Sequence, residues 1–136
     1  MIHGTAATCA CSKSGWAALD AQLKALPDIE AAPELASLLH TFLCRSGDRA
    51  NASLLRSMPK LVATSAWATG DEETTVGRLP RREVTTRGGS AWDASVSKDG
   101  GRVVLSYAPD EACVAGASFI HKPGGWLLVG IDDACD

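Results

Sequence analysis

Residues 91–132 read AWDASVSKDGGRVVLSYAPDEACVAGASFIHKPGGWLLVGID, and this stretch decides the fold. Trp92, Ala94 and Val96 alternate with polar residues, the period of a half-buried strand. Lys98-Asp99-Gly100-Gly101 comes next, and Asp-Gly is a strong hairpin signal because both central residues of a type I′ turn need positive φ. With Asp99 and Gly100 as a two-residue loop, Val96 faces Val103, Ala94 faces Leu105 and Trp92 faces Tyr107. All six then share one face, and a one-residue slip would scatter them.

After a Pro109-Asp110 turn, the next strand is expected from about Ala112 to His121. Lys122-Pro123-Gly124-Gly125 reverses the chain into a last strand, Trp126 to Ile131. A three-residue loop with a G1-type bulge pairs Phe119 with Val129 and Ala117 with Ile131, and sets Cys113 opposite Cys135. A two-residue loop would put those cysteines on opposite faces. A Cys113–Cys135 disulfide closing the base of this hairpin is therefore expected.

Working outward, the chain has 136 residues, room for one domain with a modest core. The reading is residues 1–136 as one domain, with an irregular lead-in at 1–13, a helical layer at 14–58 and strands over 61–135. The formal net charge of -3 argues against a nucleic-acid partner, which calls for a basic excess. No apolar run approaches 18 residues, so no membrane span is expected. The five cysteines lack CxxC pairing, and no His lies at zinc-ligand spacing from Cys9-Ala10-Cys11. Disulfides and an oxidising compartment suit them better than a metal. The start, MIHGTAATCACSKSG, has no apolar core of a signal peptide and reads as the beginning of a mature domain whose signal peptide has been removed. The Ala-rich, Lys-poor composition points to a bacterium of high GC content, hence to the periplasm.

Ser14 is the expected N-cap of a first helix in which Trp16, Leu19, Leu23 and Leu26 recur at helical spacing. Pro33 suits the first turn of a second helix, whose stripe is Leu35, Leu38, Leu39, Phe42 and Leu43, with Gly47 as its C-terminal cap. Cys44 falls on the far side of that stripe, where a disulfide to Cys11 or Cys9 explains it. A third helix is expected around Ala50 to Met58, then a strand over Leu61 to Trp67. Residues 70–75 read as an acidic loop, 78–87 as a basic stretch, and Glu83 to Thr86 carries strand character. The fold class is α+β: N-terminal helices packed on a curved antiparallel sheet formed mainly by the C-terminal half.

No catalytic constellation emerges. His40 and Cys44 share a helix face, but an oxidised Cys44 is no nucleophile. Cys113 and His121 are about 26 Å apart along a strand. Asp132 and Asp133 are adjacent, so they point to opposite faces. Ser97, Ser106 and Ser118 lack a nucleophile-elbow context. No catalytic residue, metal ligand or cofactor is expected. Trp67 stands before the acidic loop and can anchor a partner.

Two resemblances rest on these residues. A hairpin from Cys113 to Cys135 closed by GGWLLVGIDDACD, after a helical pair, resembles in layout the small periplasmic immunity proteins of type VI secretion systems. That resemblance implies a non-enzymatic inhibitor that blocks the active site of a cognate cell-wall hydrolase, the effector. The expected contact residues are Trp67, Asp71, Glu72, Glu73, Arg87, Gly88 and Gly89, with room for a homodimer. The alternative resemblance is to NTF2-like cone folds, in which helices precede a long meander ending here in Gly124-Gly125-Trp126-Leu127-Leu128-Val129-Gly130-Ile131. It implies a pocket between sheet and helices and a small-ligand-binding domain or an enzyme. The inner face expected here, Trp92 to Tyr107, is apolar.

Overall fold

The computed structural model describes residues 9–44, 47–68, 75–84, 91–110 and 112–135. Three helices come first: α1 (Lys13–Ala25), α2 (Ala32–Cys44) and α3 (Gly47–Arg56). Strands β1 (Leu61–Ala68) and β2 (Thr75–Pro80) come next, then a short helix α4 (Arg81–Val84). The chain finishes with β3 (Trp92–Asp99), β4 (Arg102–Ala108), β5 (Cys113–Lys122) and β6 (Gly125–Cys135).

Helix α1 starts earlier than the sequence suggests. Its N-cap is Ser12, not Ser14, and the Ser12 side chain accepts a hydrogen bond from the Gly15 N–H. Leu19 and Leu23 turn inward. Asp28 and Ala31, both at positive φ, reverse the chain into α2. The apolar stripe of α2 is the expected one, with Leu35, Leu38, Leu39, Phe42 and Leu43 all buried. Gly47 does not cap α2; it opens α3, which runs about three residues ahead of the expected position.

The six strands form one sheet in the order β2-β1-β6-β5-β4-β3. All neighbours are antiparallel except β1 and β6, which run parallel. The sheet is therefore mixed rather than wholly antiparallel, because β1 enters from the helical layer and β6 from a hairpin on its other side. Strand β2 has no counterpart in the sequence reading, since it straddles the end of the acidic loop and the start of the basic stretch. Glu83 to Thr86 was expected as a strand; Arg81 to Val84 is helical instead. Pro80 ends β2, the Arg81 N–H donates to the Lys60 carbonyl at 3.0 Å, and Val84 turns into the core.

Both hairpin loops differ in detail from expectation. In β3–β4, Asp99 pairs with Arg102, so Gly100-Gly101 is the loop, with Gly100 at φ 62°. Positive φ at the first central residue alone is the pattern of a type II′ turn. Val96 therefore pairs with Leu105 rather than with the expected Val103, a two-residue shift that preserves the faces. In β5–β6, Lys122 pairs with Gly125 across a two-residue Pro123-Gly124 loop. Phe119 then pairs with Leu128, yet Ser118 pairs with Gly130, so Val129 is the extra residue of a bulge within β6. The bulge restores the expected register beyond it: Ala117 lies opposite Ile131 and Cys113 opposite Cys135. Cys113 is disulfide-bonded.

The core lies between the helices and one face of the sheet. Val103, Leu105 and Tyr107 of β4 alternate inward, beside Ala115, Ala117 and Phe119 of β5 and Trp126, Leu128 and Ile131 of β6. Leu39, Phe42 and Leu43 of α2 pack in the same buried cluster. The Phe42 and Tyr107 rings meet edge to face at 5.9 Å. Among the described residues no charged side chain is buried there. The opposite face of the sheet is lined by small and polar residues, in one row Ala63, Gly130, Ser118, Val104 and Ser97.

Candidate functional site

The N-terminal lead-in forms the first wall of the site. Residues 9–12 make a tight turn: the Cys9 carbonyl accepts hydrogen bonds from the Ser12 N–H at 3.2 Å and the Ser12 hydroxyl at 2.8 Å. The same hydroxyl accepts from the Gly15 N–H at 3.0 Å. Only glycine fits at 15, because a Cβ there would collide with the Cys9 carbonyl oxygen. The Ala10 N–H donates to the Ala91 carbonyl at 3.0 Å, and Cys9 forms a bridge to Trp92. Cys11 is disulfide-bonded to Cys44 at the end of α2, so the Cys11 alternative holds and Cys9 is the free thiol among the described residues. One short segment thus joins α1, α2 and the β3 edge.

The second wall is a bulge in β3. Pairing with β4 shifts between Trp92 and Ser95, with Asp93 at φ 53°. Asp tolerates this left-handed region better than most residues. The extra residue inverts the alternation upstream of it. Trp92, expected on the inner face opposite Tyr107, instead pairs with Ala108 and is 42% exposed. Ala94 and Val96 keep their inward positions, half-buried and buried.

Between these walls lies a half-open cleft of about 240 Å³, lined by Ala10, Gly15, Ala18, Gln22, Asp93 and Ala94. Gly15, Ala18 and Gln22 fall at i, i+3 and i+7, one stripe of α1 facing β3. The small residues Gly15 and Ala18 let the helix approach the strand. Gln22 Oε1 accepts a hydrogen bond from the Val96 N–H at 3.2 Å, and the Lys98 ammonium donates to the Pro27 carbonyl at 2.9 Å. The helix thereby covers part of an edge strand that would otherwise present bare backbone. Among the described lining residues, Gln22 and Asp93 carry the polar side chains. Sequence reasoning missed Gly15, Gln22 and Asp93. The signal was present in the Gly15–Ala18 spacing and in an aspartate set inside a strand pattern, where Asp is disfavoured.

The expected contact residues are not gathered here. Asp71, Glu72, Glu73, Arg87, Gly88 and Gly89 lie outside the described residues. The Trp67 backbone is in β1, opposite Ala134 of β6. Among the described residues no cluster of three metal-ligating side chains occurs, and no helix is long and apolar enough to cross a membrane. His121 Nδ1 lies 2.9 Å from Glu30 Oε2, and the Trp126 indole donates to the Glu30 carbonyl at 2.8 Å, tying the α1–α2 turn to the β5–β6 hairpin. Trp16 is half-buried and stacks edge to face with His40 at 4.7 Å, rather than joining the fully buried core.

Asp132 and Asp133 point to opposite faces, as adjacency on a strand requires. The Asp132 carboxylate lies over Gly116 on the open face, where a Cβ on Gly116 would sit 2.9 Å from Oδ1. Burial of the carboxylate, and secondarily the charge of Asp133, raise its pKa above the ordinary 3.8. The residue as a whole is exposed, so screening keeps the effect small. A folded-state pKa above the unfolded one favours the fold below about pH 3.8 and loses that contribution as pH rises through the raised value. Asp132→Asn is therefore expected to raise Tm at pH 7 and to leave it unchanged at pH 3. An equal gain at both values, read by thermal denaturation, would show that charge is not the cause.

No family model matches the chain, and no curated protein matches it. Solved structures do. An NTF2-like protein from Bacteroides fragilis superposes with a TM-score of 0.54 at 10% identity, over 76% of this chain and 47% of its own. An NTF-2 like protein of unknown function from Silicibacter pomeroyi superposes with a TM-score of 0.51 at 16% identity, over 76% of this chain and 94% of its own. The fold is NTF2-like. The chain spans about half the length of the Bacteroides protein. In this chain, the space between helices and sheet where the sequence resemblance implied a pocket is occupied by Leu39, Phe42, Leu105, Ala117, Phe119 and Leu128.

Proposed function

We propose that this chain is a small-ligand-binding domain on an NTF2-like scaffold, non-enzymatic and resident in an oxidising compartment such as the periplasm. It receives its ligand in the α1–β3 cleft rather than between helices and sheet. One observation carries this reading: the interior is filled with apolar side chains, while Gln22 and Asp93 converge on a floor of small residues at a strand bulge. Bulges re-aim side chains, and binding sites are concave with few, placed polar groups. A carboxylate beside an amide suits a small ligand bearing an ammonium or another strong donor. The Cys11–Cys44 disulfide is consistent with the compartment.

The experiment is native mass spectrometry and thermal shift against small amines and amino alcohols. Asp93→Asn, which tolerates the same backbone, serves as the control. The expected result is a rise in Tm that Asp93→Asn abolishes. Amines that shift neither protein would remove the cleft reading.

A second reading is favoured by a separate observation. Val114 is 55% exposed and Trp92 42% exposed on the uncovered side of the sheet. Exposed Trp is a common anchor of protein interfaces. On this reading the chain is a protein inhibitor, in its specific form an immunity protein that blocks a cell-wall hydrolase, and Trp67, Asp71, Glu72, Glu73, Arg87, Gly88 and Gly89 remain its proposed contacts. A 1:1 complex with a hydrolase encoded beside its gene, weakened by Trp92→Ala but not by Asp93→Asn, would establish it over the first.

A further inference from the structure

We infer that Cys9, Cys11 and Cys44 form a thiol–disulfide exchange unit, in which the bridge passes from Cys11–Cys44 to Cys9–Cys11 and sets the end of α2 free. Cys9 is a free thiol two residues from a bonded cysteine. Its sulfur is already on the Cys11 backbone: the Cys11 N–H donates to Cys9 Sγ at 3.4 Å. The turn that holds it there is fixed at several points. The Cys9 carbonyl takes the Ser12 N–H and hydroxyl, the Ala10 N–H is held by Ala91, and Gly15 is bare so that the Cys9 carbonyl can sit against α1. That contact holds the Cys9 sulfur next to the residue whose sulfur it would attack, and a tethered nucleophile reacts at high effective concentration.

The step balances without an outside oxidant. The Cys9 thiol loses its proton, and the thiolate attacks Cys11 Sγ. The Cys9–Cys11 bond forms as the Cys11–Cys44 bond breaks. Cys44 leaves as a thiolate and takes up a proton. One disulfide and one thiol exist before and after; only their positions change. The bridge that spans 33 residues and clamps α2 to the lead-in becomes a local one. Ala10, which lies between the two exchanging residues, lines the cleft, so the exchange also acts on that wall. The exchange does not depend on what the cleft binds.

The test uses the oxidised full chain held at pH 6.5, 7.5 and 8.5, trapped with iodoacetamide and digested with trypsin. Cys9 and Cys11 share the peptide 1–13, and Cys44 lies in the peptide 25–45. In the starting state the two peptides are cross-linked and Cys9 carries the label. After exchange, Cys44 carries the label and the peptide 1–13 is lighter by two hydrogens than its reduced form. The rate of Cys44 labelling is expected to rise with pH, because the thiolate is the attacking species. It should be independent of protein concentration, and Cys9→Ser should abolish it. Labelling of Cys9 alone at every pH, or a Cys44 label whose rate scales with protein concentration or survives Cys9→Ser, would overturn the inference.

Discussion

Phe119→Ala is expected to lower stability by about 4 kcal/mol, the range for removing a fully buried aromatic ring. Phe119 is wholly buried on β5, pairing with Val103 on one side and Leu128 on the other. Its ring helps fill the space between helices and sheet, so deleting it leaves a dry cavity that the flanking strands cannot easily close. Val114→Ala is the matched control, on the same strand but on the uncovered face and 55% exposed. Its cost should stay within about 0.5 kcal/mol. Urea denaturation of both variants reads the difference. A loss below about 1 kcal/mol for Phe119→Ala would mean that the interior re-collapses and is not solid at this position.

The second large effect is removal of the Cys11–Cys44 bridge. The bond closes a loop of 33 residues. In the chain-entropy model a loop of that length is worth about 4 kcal/mol. For a chain of this size that corresponds to a fall in Tm of about 12 °C. Cys44→Ala tests this cleanly, because it leaves neither Cys9 nor Cys11 a partner on α2. Breaking the bond also unties the lead-in from the helical layer, and with it the turn that caps α1. An unchanged Tm in Cys44→Ala would show that packing alone holds the lead-in.

Much of this architecture is legible in the residues. The apolar stripe of α2 lies where its spacing puts it, and Val96, Val103, Leu105 and Tyr107 share the inner face. Those positions are set by burial, which writes a strong period into sequence. The errors fall where a single residue changes the phase. Asp93 and Val129 each make a bulge, and neither residue type announces one. Trp92 reads as inward because it is aromatic, and the Asp93 bulge turns it out. Strand β2 escapes notice because its pattern is short, ends in Pro80 and comes after an acidic run. The cleft is illegible for a different reason: its walls, Ala10 to Gln22 and Asp93 to Ala94, are about 70 residues apart along the chain and meet through backbone contacts that carry no sequence period. The immunity resemblance finds no support among solved structures, whereas the NTF2-like alternative does.

The parallel pairing of β1 with β6 has a consequence for how the chain is made. Strand β6 stands third in the sheet, between β1 and β5, although it comes after all five of the other described strands in the chain. Until it emerges from the ribosome, the β1–β2 ribbon has no partner on its inner side, and the β3–β4–β5 meander ends in an open edge beside Val114 and Phe119. The two halves of the sheet wait for one another, and their assembly must come after β6 has been made rather than accompany the synthesis of the earlier strands. Such unpaired edges are where chains associate wrongly. A nascent chain stalled before residue 125 should therefore remain a substrate for holding chaperones, and release of the final strand should free it.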